Sequence, residues 1–161
     1  MRLLSAAATC VFVLALGGGG CSQAGPPEFG KADVDNINKM LQEYAAAYNA
    51  KDALKVSQMF TGAAVVMPPN SSTVRGQENV RDYYVKRFNQ GASGLSLEAV
   101  DVGGHGSLAF ISGNYRLNLA PPGGEVRRDR GKFLFVLRHV RDRWMLEHLM
   151  FSSDFEAPHP T

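Results

Sequence analysis

Cysteine is scarce in this sequence and is confined to one end of it. The only cysteines among the 161 residues are Cys10 and Cys21. Whatever domain the rest of the chain forms therefore has no disulfide, no thiol nucleophile and no cysteine metal ligand. An apolar content of 45% is enough for a domain of about 130 residues to hold together by core burial alone.

The sequence also lacks a strong charge of either sign. Its 17 lysines and arginines nearly balance 15 aspartates and glutamates, for a formal net charge of +2. The basic residues stand among acidic ones, as in EVRRDRGK and RHVRDRW, and do not alternate with aromatic residues. We therefore expect no nucleic-acid partner. No histidines, aspartates and glutamates have the spacing of metal ligands, so we expect no metal ion and no cofactor.

No hydrophobic run is long enough to be a convincing membrane span. Arg2 is followed by LLSAAATCVFVLALGGGG, a short apolar and small-residue run that is typical of an export signal. We predict an export signal over residues 1–24, a tether over 25–32, a folded domain over 33–154 and a flexible tail over 155–161.

Two routes of processing fit the export signal. Cys21 follows four glycines, which favours lipid attachment to its thiol, although Gly18 stands where a lipoprotein signal usually has leucine. The alternative is ordinary cleavage after Ala24. We favour a lipoprotein that faces the periplasm or the exterior, and whose only membrane contact is the anchor at Cys21. With cleavage after Ala24 the protein is secreted or periplasmic.

Apolar spacing predicts helices first and strands afterwards. Asp33 or Asp35 is expected to cap a first helix that ends near Asn49, and Asp52 a short second one. A strand at 63–67 and a third helix at 77–89 follow. The remaining strands are predicted at 95–102, 107–119, 126–140 and 143–153. This order is typical of an α+β fold with the helices on one face of a sheet.

Strand register decides which side chains share a face. A two-residue turn at Arg141-Asp142 pairs Val140 with Arg143, and a four-residue loop at Pro121–Gly124 joins the preceding strands. This register predicts one face that mixes apolar and polar groups, and one that is almost entirely apolar. The mixed face carries Leu108, Phe110, Ser112, Asn114, Arg116, Phe133, Phe135, Leu137, Trp144, Leu146 and His148.

The two predicted faces favour different partners. The mixed face suits a ligand pocket beneath the helices, since ligand sites are largely apolar with a few placed polar groups. The second face is too apolar to be left in water, which favours a second copy of the chain against it.

Two segments carry a family resemblance: YAAAYNAKDALKVSQMFTGAAVVMPPNSSTVRGQENVRDYY at 44–84 and RGKFLFVLRHVRDRWMLEHLMFSSD at 130–154. Their motifs and order resemble the nuclear transport factor 2-like superfamily, in its SnoaL-like and ketosteroid-isomerase-like branch. Within that branch they are similar to the group named domain of unknown function 4440. The resemblance implies a cone-shaped barrel, with three N-terminal helices on a curved antiparallel sheet, and commonly a dimer through the sheet.

The same resemblance argues against ketosteroid isomerisation. Where such isomerases resemble Glu-Asp-Pro, with the aspartate as the proton-shuttling base, this chain has Met67-Pro68-Pro69. Proline has no titratable group, and KFLFVLR offers no carboxylate for an oxyanion hole. We expect Pro68 and Pro69 to end a strand and shape the rim of the cone.

His148 and Tyr48 are the candidate catalytic pair, because a histidine titrates near neutral pH and a phenol can donate a hydrogen bond. A histidine satisfied within the barrel wall is the alternative. Tyr44 and Tyr48 can equally be core rings, and Trp144 can cap the core. The predicted pocket comprises Tyr44, Tyr48, Met67, Phe110, Ser112, Asn114, Arg116, Phe135, Trp144 and His148.

Arg116 is expected to form a cross-strand ion pair with Asp129; pointing inward without a partner, it would favour a carboxylate or enolate ligand. The leading function is binding of a small, largely apolar molecule in the cone of an exported homodimer. One alternative is a SnoaL-like enzyme, namely a cyclase, dehydratase or hydrolase that uses His148 with Tyr48. The other is a non-catalytic assembly module whose cone is filled by side chains.

Overall fold

The computed structural model describes residues 28–155. The predicted export signal with Cys21, and all but the first residue of the predicted tail, lie outside these residues. The elements in chain order are α1 (Lys31–Asn49), α2 (Ala53–Gln58), β1 (Phe60–Met67), β2 (Val74–Arg75), α3 (Gln77–Asn89), β3 (Ala92–His105), β4 (Leu108–Leu119), β5 (Arg127–Val140) and β6 (Arg143–Ser153). Within residues 28–155, no helix is both long and apolar enough to cross a membrane.

The predicted α+β class is confirmed, with the helices packed on a single sheet. The strand order is β2-β1-β6-β5-β4-β3, so the sheet is open and has β2 and β3 at its edges. The sheet is mixed and not purely antiparallel, because β1 runs parallel to β6. This pairing joins strands far apart in the chain, which local sequence patterns do not indicate.

Helix α1 forms on the predicted spacing, and its buried face carries Ile37, Leu41, Tyr44 and Tyr48. Its start differs from the prediction, since the capping residue is Gly30. The Asp33 carboxylate accepts a hydrogen bond from the backbone N–H of Gly30 at 3.0 Å. Asp33 therefore stabilises the first turn from inside the helix, as the acidic member of a capping box does.

The predicted turn at Arg141-Asp142 is confirmed. Both residues have positive φ, 47° and 64°, as a two-residue hairpin turn of the I′ type requires. Val140 pairs with Arg143 as predicted, and the predicted register continues to Leu137 opposite Leu146. Beyond that pair the register shifts, so that Val136 lies opposite His148. The extra residue, Glu147, is a β-bulge, and it exchanges the two faces of β6 beyond it.

The predicted register between β4 and β5 is wrong by one residue. The last pair is Leu119 with Arg127, so the connection spans residues 120–126 and not the four residues 121–124. A turn does form at Pro121–Gly124, where the N–H of Gly124 donates to the carbonyl of Pro121 at 2.9 Å. This turn lies inside the longer loop. Because the register differs by one residue from the prediction, every side chain of β4 lies on the face opposite to the predicted one.

The two faces of the sheet can now be assigned. The inner face, under the helices, carries the buried side chains Ile111, Tyr115, Leu117, Phe133, Phe135, Leu137, Leu146 and Leu149. The outer face, on the opposite side, carries Leu108, Phe110, Ser112, Asn114, Arg116, Lys132, Leu134, Val136, His148 and Met150.

Aromatic rings fill the space between the helices and the inner face. The Tyr44 ring is fully buried and lies 5.6 Å from Phe135, 6.3 Å from Tyr84 and 6.4 Å from both Phe60 and Tyr48, centroid to centroid. Most of these contacts are edge-to-face, the arrangement that aromatic quadrupoles prefer. The centre of the molecule is therefore packed with side chains from both layers.

Candidate functional site

The structure separates the predicted pocket residues into two groups. Tyr44, Tyr48, Phe135 and Trp144 lie on the inner side, as predicted, and all are buried. Met67 lies half-buried at the end of β1. The prediction is wrong for the others, which the register shift and the bulge place on the outer face: Phe110, Ser112, Asn114, Arg116 and His148.

His148 cannot work with Tyr48 in this arrangement. It is exposed on the outer face opposite Val136, whereas Tyr48 lies under the helices on the inner side. Asp154, six residues further along the chain than His148, forms an ion pair with Lys132. The prediction that His148 and Tyr48 form a catalytic pair is therefore wrong.

Arg116 does not pair with Asp129. Its cross-strand neighbour is Arg130, while Asp129 lies opposite Leu117. Arg116 therefore points to the outer face, and Asp129 is on the inner face of the sheet. The alternative, in which Arg116 points into the cone without a partner, is therefore wrong as well.

Tyr44 and Tyr84 share a buried hydrogen bond. Their hydroxyl oxygens are 2.6 Å apart, and both side chains are at most 1% exposed. Burial raises the pKa of both phenols, so both are neutral at neutral pH. Each hydroxyl therefore satisfies the other within the buried core.

Tyr48 lies one helical turn further along α1, where its hydroxyl accepts a hydrogen bond from Nε of Arg87 at 3.1 Å. Tyr83, on the same helix as Arg87, lies close enough for the guanidinium to lower its pKa. Burial is the larger effect on both phenols and raises the pKa of Tyr48 and of Tyr83. Both hydroxyls are therefore protonated at neutral pH and can donate hydrogen bonds.

Asp129 faces this group from the sheet. Its Oδ2 accepts a hydrogen bond from the Tyr115 hydroxyl at 3.0 Å, and its Oδ1 accepts one from Ser153 Oγ at 2.7 Å. Gly131 makes room for the Tyr115 ring, since a Cβ there would lie 2.9 Å from that ring and 1.9 Å from the carbonyl oxygen of Ser152. These contacts fix the Asp129 carboxylate from two neighbouring strands.

The helix group and the sheet group lie close enough for their charges to act on one another. Burial is the main cause of the raised pKa of Tyr48, and the negative charge of Asp129 adds to it. Burial, followed by the charge of Asp129, raises the pKa of Tyr115, and the Arg87 guanidinium offsets a small part of that increase. We call Tyr48, Arg87, Tyr115, Asp129 and Ser153 the polar cluster. It brings a carboxylate, a guanidinium, two phenols and a hydroxyl to one end of the fold.

Two clefts flank the polar cluster, and Phe155 lines both. One has a volume of about 490 Å³ and includes Asp129. The other, of about 330 Å³, includes Ser153 and Met67. Each is large enough for part of a small molecule. The first is completed by Gly94, Arg116, Leu117, Asn118, Arg128 and Arg130, and the second by Pro68, Pro69, Asn70, Met150, Phe151 and Ser152.

These clefts relocate the predicted pocket. Neither is lined by Tyr44, Tyr48 or Phe135, because those rings pack against one another in the core. Met67, Pro68 and Pro69 line the second cleft, which agrees with the predicted rim. A third cleft, of about 350 Å³, lies at the opposite end of the sheet beside Trp144.

Sequence reasoning missed Arg87, Asp129 and Ser153. A signal for Arg87 was present: Tyr83 and Arg87 are four residues apart on α3, as Tyr44 and Tyr48 are on α1, and such pairs share a helix face. Asp129 stands among arginines in EVRRDRGK, which made an ion pair the simpler interpretation. Only the register of β4, β5 and β6 brings it to Tyr115 and Ser153.

The family is established by comparison of sequences. The profile of the SnoaL-like domain matches residues 37–156, which is most of the chain, and the chain belongs to this family. The finer resemblance to domain of unknown function 4440 stays a prediction. No curated protein matches the chain.

Solved structures show the same fold at low sequence identity. A ketosteroid isomerase-like protein from Erwinia carotovora atroseptica is 19% identical, with a TM-score of 0.72 over 79% of this chain and 100% of that one. A domain of unknown function with a cystatin-like fold from Nostoc punctiforme is 18% identical, with a TM-score of 0.65 over 80% and 81%. An NTF2-like protein from Novosphingobium aromaticivorans is 12% identical, with a TM-score of 0.65 over 78% and 84%. These likenesses place the chain in the cone fold of the superfamily.

Proposed function

We propose that this protein binds a small, mostly apolar molecule at the polar cluster. The observation that carries the proposal is Asp129, a carboxylate held on the inner face by Tyr115 and Ser153 between two clefts. A fixed charge flanked by accessible apolar and aromatic surface is what a ligand site requires, since a few placed polar groups orient a ligand and apolar walls bind it. The SnoaL-like family of the chain supports a ligand-binding or enzymatic role.

The polar cluster supplies complementary hydrogen-bonding groups on its two sides. On the sheet side, Asp129 can accept a hydrogen bond or a proton from a ligand. On the helix side, the neutral phenol of Tyr48 and the guanidinium of Arg87 are donors. A ligand that extends from one side to the other would be oriented by both.

An enzyme is the second candidate, and the geometry of Asp129 favours it. A carboxylate whose two oxygens are each held by a neighbour can remove a proton from a substrate carbon or from water, while a phenol opposite stabilises the resulting oxyanion. Asp129 and Tyr48 would take the roles that the sequence assigned to His148 and Tyr48. A cyclase, dehydratase or hydrolase needs such a pair.

We further propose that the protein is exported, and that Cys21 carries a lipid. The support is the sequence alone: Arg2, the short apolar run and the GGGGC motif. Mass measurement of the protein from its native host tests this. We expect a diacylglyceryl modification on a chain that begins at Cys21. A chain that begins at Gly25 would instead indicate cleavage after Ala24 and a protein without the lipid anchor.

A homodimer through the outer face is part of the same proposal. Phe110, Leu134 and Met150 are each at least 36% exposed on that face, and Leu134 pairs directly with Met150. A contiguous apolar patch of this kind favours a partner. A second copy of the chain is the simplest one, since a twofold axis brings the same patch to both sides.

Native mass spectrometry tests the binding proposal. The protein is purified gently from its native host, measured intact and then denatured. We expect a discrete small molecule to be released from the wild type and much less from Asp129→Asn, which keeps the shape of the side chain. Asp142→Asn, in the hairpin turn, is the control and should release the wild-type amount. An empty wild-type protein would instead favour the assembly module.

A further inference from the structure

Arg87 has an unusual position for an arginine in this chain. The residue is half-buried, and its Nε donates to the hydroxyl of Tyr48 on α1. Five ion pairs are formed by residues 28–155, and Arg87 belongs to none of them. Burial acts to lower the pKa of Arg87, but the oxygens of Tyr83 and Tyr48 outweigh it and raise that pKa. The side chain is therefore charged.

Its place in the helix does not explain this burial. Arg87 and Lys86 both lie in the last turn of α3, where either cation is stabilised by the helix dipole. Lys86 gains that stabilisation while exposed to water. Arg81, on the same helix, lies beside Asp82 at 3.2 Å. Only Arg87 of these three is drawn inward, and its hydrogen-bond partner Tyr48 is neutral. A partly desolvated cation that no anion contacts directly costs free energy.

We infer that Arg87 binds an anionic group of the ligand, a carboxylate or an enolate. This inference rests on the proposed function, because it names the ligand class for the same polar cluster. The Nε–H group of the guanidinium is used by Tyr48, and the four N–H groups of the two terminal nitrogens have the geometry for a paired contact with two oxygens, even with Tyr83 close by. The hydroxyl of Tyr83 lies beside them.

Asp129 fixes the direction in which such a ligand lies. Its carboxylate repels an anion, and it stands on the sheet side of the polar cluster. The anionic end therefore lies against Arg87, on the helix side, and the neutral part of the ligand reaches toward Asp129 and the clefts. A ligand of this class is a largely apolar molecule with one acidic end.

Two fluorescent probes of similar skeleton test the charge preference. They are 1-anilinonaphthalene-8-sulfonate, which carries an anion, and N-phenyl-1-naphthylamine, which is neutral. Titration of the purified wild-type protein should show tighter binding of the sulfonate. In Arg87→Gln, which keeps a donor near Tyr48 but removes the charge, the sulfonate should bind about tenfold more weakly, as the loss of a charged hydrogen bond predicts. The neutral probe should be unaffected.

Control variants separate Arg87 from other cations. Arg81→Gln and Lys86→Gln each remove an exposed cation of the same helix, and neither residue lines a cleft of the proposed site. Both should bind the two probes as the wild type does. If Arg87→Gln does not fold, Arg87→Lys keeps the charge but loses the paired donors. It should weaken the sulfonate alone, by about threefold.

The outcomes separate this inference from the proposed function. If the neutral probe binds but the sulfonate binds no more tightly to the wild type than to Arg87→Gln, or if Lys86→Gln removes the preference for the sulfonate, the inference is overturned and the ligand site stands. Loss of both probes in Arg87→Gln also overturns it, since the residue would then only shape the site. If neither probe binds the wild type, the proposed function fails together with the inference.

Discussion

The inner and outer faces of the sheet are built from the same strands but differ in what covers them. On β5, Phe135 is fully buried beneath the helices, whereas its neighbour Leu134 is 37% exposed on the outer face. The inner face is closed by rings from α1 and α3. The outer face carries large apolar groups that nothing in residues 28–155 covers. The comparison teaches that apolar composition alone does not identify the core, because both faces have it.

The largest expected effect is the difference in stability between variants at Phe135 and at Leu134. Phe135→Ala removes a ring that packs against Tyr44 and Phe133, and we expect it to lower the free energy of unfolding by about 3–5 kcal/mol. Leu134→Ala, one residue away on the outer face, should lower it by less than about 1 kcal/mol at protein concentrations where the chain is a monomer. Urea denaturation followed by circular dichroism measures both. Similar losses for the two variants would contradict the assignment of the faces.

A charge on the outer face tests whether a second copy covers it. Leu134→Glu should raise the dissociation constant of the proposed homodimer about a hundredfold, because the interface would bury a carboxylate without a partner. Light scattering after size-exclusion chromatography, over a range of concentrations, measures it. Leu54→Glu, at a leucine of α2 that is 56% exposed on the helix side of the sheet, is the control for charge. A wild-type protein that is a monomer at every concentration would contradict the proposed homodimer.

A smaller effect is expected inside the inner layer. Tyr44→Phe leaves the Tyr84 hydroxyl buried without its partner at 2.6 Å, which should cost about 1–3 kcal/mol of unfolding free energy. The double variant Tyr44→Phe with Tyr84→Phe removes both hydroxyls and should be more stable than the sum of the single losses predicts. A double-mutant cycle from urea denaturation gives the coupling. If the losses of unfolding free energy of the two single variants simply add up in the double variant, water reaches the two hydroxyls.

The smallest effect lies at the margin of the inner face, where Trp144 Nε1 donates to Asp33 Oδ1 at 3.1 Å. The hydrogen bond from the N–H of Gly30, and then the one from Trp144, lower the pKa of Asp33 below its ordinary 3.8. A carboxyl group whose pKa is lower in the folded than in the unfolded protein stabilises the fold at pH values above its unfolded-state pKa. This stabilisation is lost as the pH falls below about 4.

Thermal melts between pH 6 and pH 2.5 test the contribution of Asp33. The advantage of the wild type over Asp33→Asn should be constant above pH 5 and shrink below pH 4. Asp35→Asn, which removes a carboxylate of the same helix that does not contact Trp144, is the control. An advantage that grows as the pH falls would contradict the direction of the shift.

Much of the fold could be predicted from local patterns, and the errors have local causes. The helices and the Arg141-Asp142 turn follow from apolar spacing and turn length, which neighbouring residues decide. The bulge at Glu147 left no signal, since HLMF continues the apolar run of β6 in either register. The loop at 120–126 contains a good four-residue turn, so the shorter loop was the simpler interpretation.

The candidate site was harder to predict than the fold. Asp129, Tyr115 and Ser153 stand on three different strands, and they meet only if two registers are right at once. A single-residue error in either register sends one of them to the other face. The burial of Tyr48 could be predicted because a helix has one buried side, and that side can be read from the spacing of α1 alone.

The position of β6 has a consequence for how the chain reaches this structure. It is the last strand in the sequence, yet it lies between β1 and β5 in the sheet. Until it is in place, β1 with β2 and the meander of β3 to β5 are separate pieces that no strand pairing joins. Contacts so distant along the chain form slowly, because a long loop must close first. A chain truncated before Arg143 should therefore expose two unpaired strand edges and aggregate, and the complete chain should gain protection from proteases in a single late step.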